Sequence, residues 1–163
     1  MGQSKALLPF GDGTMVEQVL STLQQIVQPV VVVASRGQQL PVLPNTTIVF
    51  DDRSEKGPLE ALRVGLDGLP NSCHAAFVTS CDVPLLRVAF IQFLASRLAD
   101  HDAIIPFDGE FAHPLAGIYR TDVVPVIEKL IANDRWRPRF LLDEVNTLRV
   151  DVEAFRTVDP DLE

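Results

Sequence analysis

Four groups of residues in this chain have the types and spacing for phosphate and metal chemistry. Lys5 lies in a short polar segment. Asp51 and Asp52 close an apolar run. Gly57-Pro58-Leu59 opens a helical pattern. Asp82 follows Ala75-Ala-Phe-Val-Thr-Ser-Cys, a run with the character of a buried strand. A carboxylate just past such a strand can hold a hard cation such as Mg²⁺, which prefers oxygen ligands and often bridges to substrate phosphates. A lysine beside it would neutralise charge that builds on phosphates during displacement. The first amides of a helix favour anions. The plainer alternatives are that Asp82 caps the next helix and that Lys5 is a solvated side chain near a terminus. No Ser–His or Cys–His arrangement accompanies these residues, so the pattern fits displacement at phosphorus without a protein nucleophile.

The elements that must position these groups follow from periodicity. Thr14 with Glu17 has capping-box spacing. Met15, Val16, Val19, Leu20, Leu23, Ile26 and Val27 recur at helical intervals up to Pro29. Val30–Ala34 is a β-branched run without polar alternation, as in a strand buried on both faces. Ile48–Phe50 reads as a second strand, and Gly57-Pro58 starts a helix to about Leu69, with proline in its tolerated first turn. After the strand that ends near Asp82, Val88–Leu98 is helical and Ala103–Pro106 is a strand. Asp108-Gly109 is a turn, and Pro114–Tyr119 is a strand or bend. Thr121 caps a helix to about Asn133, Phe140–Glu144 is a short helix, and Leu148–Val152 is a last strand. This alternation predicts an α/β fold, a three-layer α/β/α sandwich with a mainly parallel sheet. Ligands of such sheets bind beyond the carboxyl ends of the strands, where Asp51, Asp52 and Asp82 are expected.

The chain of 163 residues is long enough for one domain with a full core. Its net charge of −8 disfavours nonspecific nucleic-acid or membrane-surface binding. No apolar run is long enough to span a bilayer. Cys73 and Cys81 flank one predicted strand and read as reduced core thiols, which points to the cytoplasm. No strand launches the first helix, although the first strand of a doubly wound sheet is usually central. A strand upstream of Met1 is therefore expected, with the single domain truncated at its ends.

Taken together, these residues resemble the molybdenum cofactor guanylyltransferases. Met1-Gly2-Gln3-Ser4-Lys5 resembles the tail of the signature L-A-G-G-x-S-x-R-M-G-x-x-K, and Ala6-Leu7-Leu8-Pro9-Phe10-Gly11 continues it. Asp51 with Gly57-Pro58-Leu59 is similar to D…G-P-L-A-G, although Glu60-Ala61 departs from that pattern. Ser80-Cys81-Asp82-Val83-Pro84-Leu85 matches C-D-x-P-x-L, and His113-Pro114-Leu115 with Ile118-Tyr119 resembles [QH]-P-L…L-Y. The L-A-G-G-x-S-x-R part and a later N-x-N-T-P segment have no counterpart in this sequence.

The resemblance implies a nucleotide-diphospho-sugar transferase type of fold. It also implies transfer of GMP from GTP to the terminal phosphate of molybdopterin, with release of pyrophosphate. By that resemblance Lys5 contacts the GTP phosphates, Asp82 holds Mg²⁺, and Asp51 or Asp52 contacts nucleotide or metal. Gly57, Pro58 and Leu59 shape the guanine pocket, and Gly2 and His113 join the binding site. The Arg135-Trp136-Arg137-Pro138-Arg139 cluster either grips the pterin phosphate or only decorates a loop. Cofactor-delivery proteins and apo-molybdoenzymes are the partners the family makes plausible. Two other readings stay open. One is a related enzyme, a molybdenum cofactor cytidylyltransferase or a sugar-phosphate nucleotidyltransferase. The other is a non-catalytic binding domain on the same fold.

Overall fold

The computed structural model describes residues 5–159. A small hairpin, β1 (Pro9–Phe10) with β2 (Gly13–Thr14), leads into α1 (Met15–Leu23). The Glu17 carboxylate accepts from the Thr14 backbone N–H at 2.8 Å and from Thr14 Oγ1 at 2.7 Å, so the predicted start of this helix holds. Its end comes before Pro29. The chain leaves the helix after Leu23, and the Ile26 and Val27 amides bond back to Leu23 in a closing turn.

Next come β3 (Val30–Ser35), β4 (Thr46–Asp51), α2 (Pro58–Asp67), β5 (Ala75–Thr79) and α3 (Val88–Ala95). They are followed by β6 (Ala103–Phe107), β7 (Ala116–Arg120), α4 (Val124–Ala132), α5 (Arg139–Glu144) and β8 (Thr147–Asp151). None of the described helices is long and apolar enough to cross a membrane.

β3, β6 and β7 alternate their side chains between two helical layers, as apolar strands buried on both faces must. Val30 and Val32 pack with α1, whereas Val31 and Val33 face Gly68 and Gly65 of α2. Later residues of α2 meet earlier residues of β3, so the helix runs antiparallel to that strand. In β6, Ala103 and Ile105 join α2 and α4, while Ile104 joins α3. Tyr119 and Ile118 of β7 divide the same way. Each fully buried Leu or Ile in these layers contributes roughly 1.5–3 kcal/mol.

The sheet departs from the expected mainly parallel arrangement. β3 and β4 form a parallel pair, and β5-β7-β6-β8 form a separate four-stranded sheet. In the larger sheet only β6 and β8 are parallel, and β7 is antiparallel to both neighbours. Connection length explains this. β6 and β7 are joined by a tight turn with a bridge between Phe107 and Ala112, which forces the chain to reverse. From β7 the chain returns through α4 and α5 before β8, a long connection that lets β8 pair parallel to β6. Phe77 of β5 and Val32 of β3 pack against one apolar cluster, yet the two strands are not paired. Among the described residues, no strand pairs with the free edge of either.

Gly117 sits where β7 crosses β6. An added Cβ there would lie 2.4 Å from Ile105 Cδ1 and 2.7 Å from the Ile104 carbonyl oxygen. The backbone contact cannot be relieved by a rotamer change. Gly117→Ala is therefore expected to destabilise the protein by about 2 kcal/mol. The check is the urea unfolding midpoint, and an unchanged midpoint would contradict this packing.

Candidate active site

β5 delivers Ser80, Cys81 and Asp82 beyond its carboxyl end. Every residue of β5 is half-buried and none is charged, and the first carboxylate after the strand is Asp82. Asp82 Oδ1 accepts from Ser80 Oγ at 2.6 Å. Asp82 Oδ2 accepts from Lys5 Nζ at 2.9 Å, a bond between residues 77 positions apart. Lys5 opens a 3₁₀ turn, Lys5–Leu7, whose next residue, Ala6, is buried in the cluster that includes Ile91 of α3. The backbone beside Lys5 is thus anchored while its ammonium reaches Asp82 from the surface. The side chains of Lys5 and Asp82 are 73% and 31% exposed, so the pair is open to a ligand.

The electrostatics follow from these contacts. The Ser80 hydroxyl, then the Lys5 ammonium, hold the Asp82 carboxyl below its usual range. The hydrogen bond and charge of Asp82 raise Lys5 above its usual value. Burial is the main cause pushing the Cys81 thiol up, as befits a packed thiol rather than a nucleophile.

His113 lies on the same sheet edge. Thr79 pairs with Ala116, and the Ala116 amide bonds to the His113 carbonyl at 3.0 Å. His113 Nε2 is 3.0 Å from Asp108 Oδ2. Asp108 Oδ1 in turn accepts from the Phe111 and Glu110 amides at 2.6 and 3.0 Å. Those two amides, then His113, keep Asp108 below the usual carboxylate range.

The other predicted residues are arranged differently. Asp51 ends β4 almost fully buried, and its Oδ1 accepts from the Arg53 amide at 2.7 Å. Asp52 is exposed and engaged in a two-bond pair with Arg36, which lowers its pKa. Neither aspartate bonds to Lys5, Ser80 or Asp82. Gly57 precedes α2 at φ +125, a conformation that favours glycine, and Pro58 takes the first turn. The Leu59 side chain is fully buried in the core, so only its backbone is left for a ligand. Gly2 lies outside the described residues.

The basic cluster is largely engaged within the protein. Arg135 pairs with Glu144 at 2.7 Å, and Arg135 and Arg139 both lie over Phe140. Trp136 has Arg53 and Lys56 about 6 Å from its ring centre and donates Nε1–H to Asp134 at 2.6 Å. This matches a loop fastened to the start of α2.

Sequence reasoning passed over Ser80 and Asp108. The signal for Ser80 was a hydroxyl two residues before the strand-end carboxylate. For Asp108 it was an aspartate opening the turn that carries His113.

Among the described residues, no group of three or more His, Cys, Asp or Glu could hold a metal ion. Asp82 alone is a sparse ligand set, but Mg²⁺ commonly takes one or two carboxylates plus substrate phosphates and water. The position beside Oδ2 already accepts a cation, the Lys5 ammonium. The residues therefore fit a metal that arrives with a phosphorylated ligand.

The family model described as the MobA-like NTP transferase domain matches residues 1–148. The chain belongs to that family. It is 37% identical over 155 residues to probable molybdenum cofactor guanylyltransferases of Mycobacterium tuberculosis and Mycobacterium ulcerans, covering 92% of this chain and 76% of each relative. Among solved structures, it is similar to molybdopterin-guanine dinucleotide biosynthesis protein A of Archaeoglobus fulgidus. That match has a TM-score of 0.80 at 19% identity, over 99% of this chain and 82% of the other. It is also similar to 2-C-methyl-D-erythritol 4-phosphate cytidylyltransferase of Thermus thermophilus. There the TM-score is 0.71 at 13% identity, over 92% and 84% of the two chains. At such identities the structures establish the fold alone. The split, mixed sheet is thus the form this MobA-like domain takes over its described residues.

Because the folded pKa of Asp82 is depressed, the bonds from Ser80 and Lys5 favour the fold above the unfolded carboxylate pKa. Their contribution is lost as pH falls through the folded value. Ser80→Ala should raise the Asp82 pKa toward the ordinary value, read by carboxyl-carbon NMR titration. An unmoved titration would remove Ser80 from the site.

Proposed function

We propose that this protein transfers GMP from GTP to molybdopterin, releasing pyrophosphate and forming the guanine dinucleotide form of the cofactor. The observation that carries this reading is the Lys5–Asp82 pair at the carboxyl end of β5 in a MobA-like domain. The guanylyltransferase names of the 37%-identical relatives supply the substrates.

In this reading a phosphate oxygen of molybdopterin attacks the α-phosphorus of GTP in line. The new P–O bond forms as the bond to the β-phosphate oxygen breaks, and pyrophosphate leaves. The attacking phosphate is already ionised, so the protein supplies no nucleophile or general base. Mg²⁺ held by Asp82 would offset charge on the α-phosphoryl group and on the departing pyrophosphate. Ser80 fixes the rotation of the Asp82 carboxylate. Lys5 turns its ammonium to the phosphates, where its charge is most effective as negative charge shifts toward the leaving group. Gly57, Pro58 and the Leu59 backbone border the guanine. Asp51 acts through the Arg53 amide that it holds near the start of α2. His113, oriented by Asp108, lies on the side of the sheet edge toward β7 and approaches the bound substrates from there.

A further strand pairing with the free edges of β3 and β5 would join the two sheets. The same reading places the enzyme in the cytoplasm, with cofactor-delivery proteins and apo-molybdoenzymes as its partners.

The test measures pyrophosphate release with molybdopterin and Mg²⁺, comparing GTP, CTP and ATP. It is run on this chain and on a form extended at its N-terminus. Release with GTP alone is expected, reduced at least about 100-fold in Asp82→Asn while the protein stays folded. Release with CTP instead would make it a cytidylyltransferase. No release from either form would leave a binding domain.

A further inference from the structure

Both oxygens of Asp82 are already in use. Oδ1 takes the Ser80 hydroxyl at 2.6 Å, and Oδ2 takes the Lys5 ammonium at 2.9 Å. Each oxygen keeps a second lone pair, but a cation entering at Oδ2 would lie beside the Lys5 ammonium, and the repulsion between the two positive charges favours displacement of Lys5. The remainder of the site gives a free cation little to hold. Among the described residues, no second carboxylate bonds in this cluster. Asp51 is turned to the Arg53 amide, Asp52 to Arg36, and Asp108 to His113 and its own loop amides.

Lys5, by contrast, is able to leave. Among the described residues its ammonium bonds to Asp82 alone, and it is largely exposed. Its backbone stays in place because Ala6 is buried and the Leu8 amide bonds to the Lys5 carbonyl at 3.1 Å. A phosphate group arriving at the strand end offers the ammonium several anionic oxygens in place of one. Ser80 meanwhile remains on Oδ1, so the carboxylate keeps its orientation while Oδ2 changes partners.

Resting on the reading of Asp82 as the metal ligand, we infer that Lys5 is the resident counter-ion of Asp82, exchanged for the metal only when nucleotide phosphates draw Lys5 away. Metal and nucleotide then bind with positive coupling, and the free protein resists metal on its own. By linkage the coupling is reciprocal, so the metal strengthens nucleotide binding by the same factor.

The probe is Mn²⁺, which stands in for Mg²⁺ and is counted by electron paramagnetic resonance in its free form. Four proteins are compared, each checked for an unchanged thermal midpoint: the unaltered chain, Lys5→Met, Asp82→Asn and the double variant. With Mn²⁺ alone, Lys5→Met is expected to bind about fivefold more tightly than the unaltered chain, a modest factor suited to a partly exposed pair. The double variant should lose that gain. With the Mn²⁺ bound by GTP in protein-free solution subtracted, adding GTP should tighten Mn²⁺ binding to the unaltered chain by about tenfold or more, and by clearly less in Lys5→Met.

Equal Mn²⁺ affinity in Lys5→Met and the unaltered chain would overturn the exchange, while GTP-dependent pyrophosphate release would still stand. A gain that survives Asp82→Asn would place the cation elsewhere and overturn both. A gain lost with Asp82 in a protein that transfers no nucleotide would keep the exchange and remove the guanylyltransferase assignment.

Discussion

The governing constraint is burial of the strands on both faces. β3, β6 and β7 send alternate side chains into two separate helical layers. Strands enclosed in that way have no room for charge along their length. Polar chemistry is pushed to the strand ends, where the backbone meets water. Asp82, His113 and Asp51 all lie at such ends, and the core they rest on is an apolar block anchored by Tyr119, Ile104, Ile105 and Leu59. The site is a consequence of where this architecture tolerates polarity.

Much of the framework was legible because local chemistry decided it. Thr14 with Glu17 set a helix start, and Gly57-Pro58 set another, since those positions favour particular backbone angles and donors. The strand ending before Asp82 was legible from its unbroken apolar run. The direction of β7 was not, because strand polarity depends on a turn three-dimensionally matched to its neighbours rather than on side-chain pattern. The division of the sheet was likewise invisible to periodicity, although the lack of a launching strand hinted at it. At the site, sequence found the carboxylate and the lysine but not their bond, which joins residues 77 positions apart. It could not separate Asp51 from Asp52. The structure distinguishes them by partner: one holds a backbone amide, the other an arginine.

Charge is organised locally despite the overall excess of acid. Arg36, Arg63, Arg135 and Arg156 each sit in an ion pair with a neighbouring carboxylate. Most such surface pairs contribute little to stability. Their effect is to keep the general negative field of the molecule from gathering at one place. Lys5 and Asp82 form a pair of the same chemical kind, but it joins residues 77 positions apart and lies at a strand end. That position gives an ordinary contact a different use.

The long separation of Lys5 and Asp82 also bears on how the protein responds to heat and proteases. A loop of that length is held closed in the fold by the cluster that packs Ala6 and Ile91 with residues of α1 and β5. An unfolded chain thus holds the two halves of the site far apart and binds a charged ligand poorly. Any molecule that needs both halves binds the folded form alone and shifts the unfolding balance toward it by mass action. Protection from unfolding would then report an assembled site even where turnover is too slow to detect.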